Sequence, residues 1–252
     1  MPQLSTAGDW QIELSHHRQR DLLIWLSQGQ GDLMIDGQRM TVNANDALFI
    51  PAGTLWSLKT MSQTSGRCLQ LPTHHRSSIL THPLVHKMEG AWDRRYLSAL
   101  FEQLQREQNS KREGWQSAMS SLAHVLQIHV NRNIPAPQTL TAAQRLSRAY
   151  CERVVAHYRE NITMGEHANA LKVTPTHLTR VCKAETGKTA AMLLTERQLY
   201  SARALLAFSD LPIQDIASQL GFGSPAYFTR FISQHTGNTP SRLRKVAQLD
   251  VA

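Results

Sequence analysis

The chain has 252 residues, a formal net charge of +8, and 41% apolar, 18% charged and 6% aromatic residues. That composition speaks against a disordered or fibrous chain, and the length exceeds the roughly 100–150 residues usual for one domain, so two domains are expected. No apolar run approaches the ~20 residues that cross a bilayer; Met1–Trp10 lacks the pattern of a signal peptide; and three scattered cysteines (Cys68, Cys151, Cys182) without a CxxC speak against a disulfide frame or zinc ribbon.

In chain order, the first ~90 residues read as β structure. Trp10–Leu14 and Leu22–Leu26 are short apolar segments, and Gly29–Gly31 interrupts the chain after the second. Leu33–Ile35 and Met40–Val42 flank Asp36-Gly37, a strong signal for a two-residue hairpin. Ala47–Ile50, Leu55–Leu58 and Cys68–Leu71 follow, so six or seven short strands suggest a sandwich or small barrel. After residue 90 the period becomes helical: Tyr96, Leu97, Leu100, Phe101 and Leu104 share one face, as do Trp115, Met119, Leu122, Leu126 and His129. Residues 133–141, with Pro135 and Pro137, read as an extended linker, and everything beyond is helical in pattern. Up to residue 146 the net charge is +3, and beyond it +5 in fewer residues.

The C-terminal part repeats itself at a lag of 50. Thr174–Gly187 aligns with Ser224–Gly237, matching Pro175/Pro225, Thr179/Thr229, Arg180/Arg230, Thr186/Thr236 and Gly187/Gly237 without a gap. Each copy opens with a hydroxyl residue then Pro and closes on Gly, which marks a capped helix. One face carries Leu178, Val181 and Cys182, or Phe228, Phe231 and Ile232; the opposite face carries Thr176, Arg180 and Lys183, or Ala226, Arg230 and Ser233. Upstream, Ile213, Ile216, Ala217 and Leu220 recur at a lag of 49 as Met164, His167, Ala168 and Leu171, so two helix-turn-helix units are expected. Between them Thr189–Phe208 reads as one helix of roughly 30 Å, close to the ~34 Å between successive major grooves on one side of B-DNA.

At these residues the sequence resembles the AraC/XylS family of transcription regulators. The carriers are Ile213–Phe222, Ser224–Phe231, Gly237–Arg244 and Arg203–Leu206, and the likeness covers about residues 146–244. His167 and Leu243 depart from the family pattern, which has an aliphatic and an aromatic residue at these places. Residues 9–90 resemble the family's cupin-type sensor domain through Gly31–Gly37 and Asn45–Gly53, although no HxH metal motif is present and Trp56 stands where many cupins place a ligand His. The expected architecture is therefore an N-terminal all-β cupin-like barrel with a helical pair, and a C-terminal all-α domain with two helix-turn-helix motifs. In residues, 1–90 form the sensor barrel, 91–132 the helical pair, 133–141 the linker and 142–252 the DNA-binding domain. The resemblance implies a ligand-responsive activator that contacts RNA polymerase.

For DNA, Thr176, Thr179, Arg180, Ala226, Thr229 and Arg230 are the candidates for base contact, because guanidinium, hydroxyl and methyl groups can each read a base edge. The alternative for the arginines is a phosphate clamp or solvated surface. Thr174, Lys183, Ser224, Thr239 and Arg242 sit at helix starts or flanks and suit phosphate. For a small organic effector, anionic or neutral, His16, Arg18, Trp25 and Trp56 combine aromatic walls with cations, against the alternative that the tryptophans are core. Leu97, Leu100, Phe101, Leu104, Met119, Leu122 and Leu126 are candidates for a homodimer contact, or they merely cover the barrel. His74, His75, His82 and His86 lack convergent acidic or thiol partners, so no metal is expected; no cysteine has a nucleophile motif, and no catalytic residue or cofactor is assigned. The expected partners are double-stranded DNA, RNA polymerase, a small-molecule effector and a second copy, in the cytoplasm and away from membranes. Two alternatives stay open: a cupin-type enzyme fused to a DNA-binding domain, and a regulator whose N-terminal part only dimerises or binds a protein.

Overall fold

A computed structural model describes residues 9–61, 63–71, 79–132 and 139–249; part of the expected linker (133–138) and His74 and His75 lie outside these residues. The chain forms two compact units, one built on His17–Ile35 and Met40–Thr139, the other on Trp10–His16, Asp36–Arg39 and Leu140–Ala252. Among the described residues no helix is long and apolar enough to cross a membrane.

Seven strands precede the first long helix: β1 (Leu22–Gln28), β2 (Gln30–Ile35), β3 (Gln38–Asn43), β4 (Asp46–Ile50), β5 (Trp56–Thr60), β6 (Ser65–Gln70) and β7 (Leu84–Lys87). They fall into two sheets, ordered β6-β1-β4-β7 and β3-β2-β5. Of the expected sandwich or small barrel, the described strands form two sheets and no closed barrel: the chain turns at Gly29, straight after β1, so β1 pairs antiparallel with β4 and β6 while β2 pairs antiparallel with β5. The β2–β3 turn follows its sequence signal, with Asp36 at φ 52° and Gly37 at φ 78°, the positive pair a type I′ turn requires.

β1 is apolar on both sides and buried over its first five residues. Leu23 and Trp25 join Phe49, Leu69 and Leu71 in a core that takes Leu97, Leu100, Phe101 and Leu104 from α2 (Ala91–Ser110), and Ala123, Leu126 and Val130 from α3 (Trp115–Asn131). Leu22, Ile24 and Leu26 are buried on the opposite face. A continuous apolar run of this kind is what a strand covered on both faces needs.

Trp10–Leu14, expected with the β structure, instead starts as a helical turn (Trp10–Glu13) and belongs with the second unit. Aromatic contacts hold it there. The His16 ring stacks on Tyr200 at 4.1 Å, Trp10 lies 5.5 Å from the same ring, and Arg203 sits 4.6 Å over Trp10. Ser15 donates its N–H (3.0 Å) and its hydroxyl (2.6 Å) to Glu196, which also pairs with Lys188 at 2.7 Å. Five apolar or polar residues in a row carry too little periodicity to separate a helical turn from a strand.

The rest of the second unit is helical: α4 (Ala142–His157), α5 (Met164–Ala170), α6 (Pro175–Thr186), α7 (Ala190–Phe208), α8 (Ile213–Gln219), α9 (Pro225–Thr236) and α10 (Pro240–Leu249). Ile216, Ala217, Leu220, Phe228 and Ile232 pack on Leu199, Ala202 and Leu206 of α7. Arg197 is buried in α7, lies 3.8 Å over the Tyr158 ring and donates to Ser201 at 2.6 Å; loss of hydration pushes its pKa down to about 10.

Candidate nucleic-acid interface

The repeated residues of the two helix pairs make repeated hydrogen bonds. In the α5–α6 pair, Val173 N–H donates to Ala168 C=O at 3.0 Å; in the α8–α9 pair, Phe222 N–H donates to Ala217 C=O at 3.0 Å. Thr174 caps α6 by accepting from His177 N–H, and Ser224 caps α9 by accepting from Tyr227 N–H. At the other end the Thr-Gly repeat forms one device twice. The Thr186 hydroxyl donates to Cys182 C=O (2.7 Å) and accepts from Lys188 N–H (3.1 Å); Thr236 does the same with Ile232 (2.8 Å) and Asn238 (3.2 Å). Gly187 and Gly237 then take the left-handed conformation that ends each helix.

With Leu178, Val181 and Cys182, and Phe228 and Ile232, buried beneath, each helix turns its other face to solvent. Thr176, Arg180, Ala226 and Arg230 are exposed, and Thr179 and Thr229 are half-buried beside them. Thr174, Ser224, Thr239 and Arg242 are exposed at helix starts. Open N–H groups and the positive dipole end make such a start favourable for an anion. Lys183 differs from the expectation: its ammonium bonds Gly187 C=O at 2.7 Å and so caps α6.

Two residues of this surface carried no expectation. Tyr227 is 59% exposed on the first turn of α9, and His177, its counterpart in α6, bonds Arg180 at 3.1 Å. Tyr227 is supported from below by Phe222 at 5.8 Å, which in turn packs on Phe228 and Phe231. Arg230 and Tyr227 border a groove of about 740 Å³ that runs on to Gln198, Gln234 and His235. The available signal was an aromatic at the third position after each cap, on neither the core stripe nor the charged stripe.

The proposed effector residues are divided between the two units. His16 is buried against Tyr200 in the second unit, whereas Arg18, Trp25 and Trp56 belong to the first. Trp25 faces the α2–α3 core and Trp56 lies on the other sheet, both buried. The homodimer candidates are also placed differently. Leu97, Leu100, Phe101, Leu104 and Leu126 are interior, with Met119 and Leu122 packed against them, because this face covers the four-stranded sheet. Burial pushes the thiols up, Cys68 to about 11 and Cys182 to about 12, so neither is a ready nucleophile near neutral pH.

A helix-turn-helix domain model matches residues 167–246, which run from α5 to α10. Over 86 residues the chain is 35% identical to the probable transcription factor PqrA of Proteus vulgaris, covering 34% of this chain and 70% of that protein. The chain belongs to the AraC-type helix-turn-helix transcription regulators. Another AraC-type relative, the regulator ExsA of Pseudomonas aeruginosa, is 28% identical over 113 residues, and there the chain spans only 41% of the relative's length. Among solved structures the chain is similar to ToxT of Vibrio cholerae O395, with 14% identity, a TM-score of 0.43, and 92% of this chain and 91% of that one covered. Within the matched residues lie α6 to α9, both exposed arginines, and part of α5 and of α10.

Proposed function

We propose that this regulator reads DNA with both helix pairs as helix-turn-helix motifs, α6 and α9 entering successive major grooves. The supporting observation is the duplicated exposed face: Arg180 and Arg230 occupy equivalent positions on helices capped, packed and ended by the same bonds. Thr176, Thr179, Arg180, Ala226, Thr229 and Arg230 contact bases in this reading, joined by His177 and Tyr227. Thr174, Ser224, Thr239 and Arg242 hold phosphates, and Lys183 joins them only by giving up its bond to Gly187. The 19 residues of α7 span roughly 28 Å, compatible with one helical turn of DNA between the two readers.

The first unit serves as a cupin-like sensor of a small molecule and as a dimerisation element, and the protein acts in the cytoplasm by recruiting RNA polymerase. Since the inner faces of α2 and α3 cover the sheet, a second copy would meet their outer side, where Trp92 and Val125 are exposed. Selection of binding sites from random DNA with the full chain tests the reading. Two short motifs about 10 base pairs apart are expected, and a single short motif overturns tandem reading.

A further inference from the structure

One side chain carried by the scaffold of the first helix pair is buried in the second. Tyr158 follows the last residue of α4, the helix that packs on α6. Its ring lies with Leu199, Phe228 and Ile232 in the core beneath α9. Three further contacts fix it there. Gln198 of α7 donates to its C=O at 3.1 Å, Arg197 sits 3.8 Å over its ring, and Arg159 Nε donates to its hydroxyl at 2.8 Å.

The next residue meets the turn of the second pair. The Arg159 carbonyl lies against Gly221, where a Cβ would stand 1.9 Å from its oxygen. The left-handed turn does not by itself require glycine, since Lys172 takes the equivalent place in the first pair at φ 58° and is exposed. The close approach of the chain at Arg159 is therefore what excludes a side chain at 221. Thr163 then belongs to the first pair again. It caps α5, accepting from Glu166 N–H at 3.2 Å and donating its own N–H to the Glu166 carboxylate at 2.7 Å. Between these anchors Glu160, Asn161 and Ile162 line the groove that Tyr227 and Arg230 of α9 border. Chain of this length reaches at most about 14 Å from Arg159 to Thr163, so it limits how far the two pairs can part and forms a second tie beside α7.

We propose that residues 158–163 are a strap that fixes the spacing at which α6 and α9 read DNA, with Tyr158, Arg159 and Gln198 as positioning residues that act through the placement of the two helices. The inference deepens the tandem reading and rests on it. Each base pair added between two motifs turns one of them about 35° around the duplex relative to the other. Readers held by two ties cannot follow that rotation, so the DNA must be deformed or one reader must let go. Readers joined by α7 alone would follow it more readily, with a lower effective concentration for the second contact at the best spacing.

The experiment measures affinity of the full chain for duplexes that carry the motifs recovered from random DNA, at the selected spacing and with one base pair added or removed. Two variants loosen the strap: a Gly-Gly insertion between the exposed Glu160 and Asn161, and Gln198→Ala, which removes the bond to the Tyr158 carbonyl. The unaltered chain should lose about tenfold or more when the spacing changes by one base pair, and the variants about threefold or less. At the selected spacing the variants should bind somewhat more weakly. A fold that is merely weakened, or a lost contact to DNA, lowers affinity by the same factor at every spacing, and that result in both variants overturns the proposal. If circular dichroism shows that the insertion unfolds the chain, Gln198→Ala alone decides. A selection that returns a single motif removes the tandem reading and the strap together. Two motifs whose steep spacing dependence survives in the variants leave the tandem reading standing and remove the strap alone.

Discussion

At position 167 the first helix pair buries a histidine with neither ring nitrogen hydrogen-bonded among the described residues; at the equivalent place the second pair buries Ile216. In the turns that follow, the left-handed residue is Lys172 (φ 58°) in one pair and Gly221 (φ 75°) in the other. On the helices themselves Cys182 answers to Ile232 and Val181 to Phe231. The second pair thus has an apolar residue at 216 and a glycine at 221 where the first has a polar His167 and a strained Lys172, while Val181 and Cys182 are smaller apolar counterparts of Phe231 and Ile232. The first pair has one advantage at its start: Thr163 and Glu166 form a reciprocal capping box on α5, whereas α8 begins at Pro212 with no side-chain cap. One backbone plan therefore survives two quite different qualities of local fit, because the capping bonds and the apolar stripe are kept in both.

The largest expected effect comes from removing the fit of the second turn. A Cβ at Gly221 would lie 1.9 Å from the Arg159 carbonyl oxygen on a backbone at φ 75°. Gly221→Ala should cost about 3 kcal/mol or more in urea unfolding, from the left-handed strain plus the displacement of Arg159. Lys172→Ala, already on a left-handed backbone with a Cβ, should stay within about 0.5 kcal/mol. Similar losses in the two variants would show that the turns are equivalent.

Next come the arginines on the two outer faces. Arg230→Ala should weaken binding to the selected site by about 1–3 kcal/mol and relax discrimination at one base position, as read by fluorescence anisotropy on singly altered sites. Arg180→Ala should show a smaller loss, because its guanidinium already bonds His177 at 3.1 Å. Uniform weakening on every sequence would instead mean phosphate contact.

How much of this was legible beforehand follows from the range over which each feature is determined. The Asp36-Gly37 turn, the N-caps at Thr174 and Ser224, and the glycine stops at Gly187 and Gly237 rest on interactions within four residues, and the sequence signals sit on the residues that make them. Sheet membership was not legible: β2 leaves β1 at Gly29, and nothing in a strand's own residues states which partner it will meet. The same holds for the segment at Trp10, held by Tyr200 and Glu196 about 190 residues away in the chain. At the candidate interface the arginines and caps were readable as a repeat, while Tyr227 depended on Phe222 beneath it. The apolar stripe of α2 was correctly seen as a contact face, yet periodicity cannot say whether it meets a sheet of the same chain or a second copy.

His167 offers an intermediate effect with a pH signature. Burial lowers its pKa below the ordinary 6.5, reinforced by the positive charge of Arg153 and of His157 and opposed by Glu166 and Glu160. The folded state therefore favours the neutral ring. Its contribution is intact above about pH 6.5, where the unfolded chain is also neutral, and is lost as pH falls through that value toward the lower folded one. His167→Ile should raise stability by roughly 1–2 kcal/mol at pH 7, by removing an unsatisfied buried polar group, and by more at pH 5.5. The acid sensitivity that remains would come from other groups such as His129, whose pKa burial also lowers. An equal gain at both pH values would exclude His167 as a source of the pH dependence.

The smallest effect tests the strained turn from the other side. Lys172 is exposed, and its N–H donates to Asn169 C=O at 2.9 Å, a backbone bond any residue could make. Holding a side chain in the left-handed region costs about 1–2 kcal/mol, which Lys172→Gly would recover. Glycine also gives the unfolded chain more freedom, worth about 0.5–1 kcal/mol in the opposite direction. The net should be a gain of about 0.5 kcal/mol, seen as a higher urea midpoint at unchanged slope. A loss would mean that the aliphatic stem of Lys172 packs usefully against α5 or α6, and that the first turn is adapted to lysine as closely as the second is to glycine.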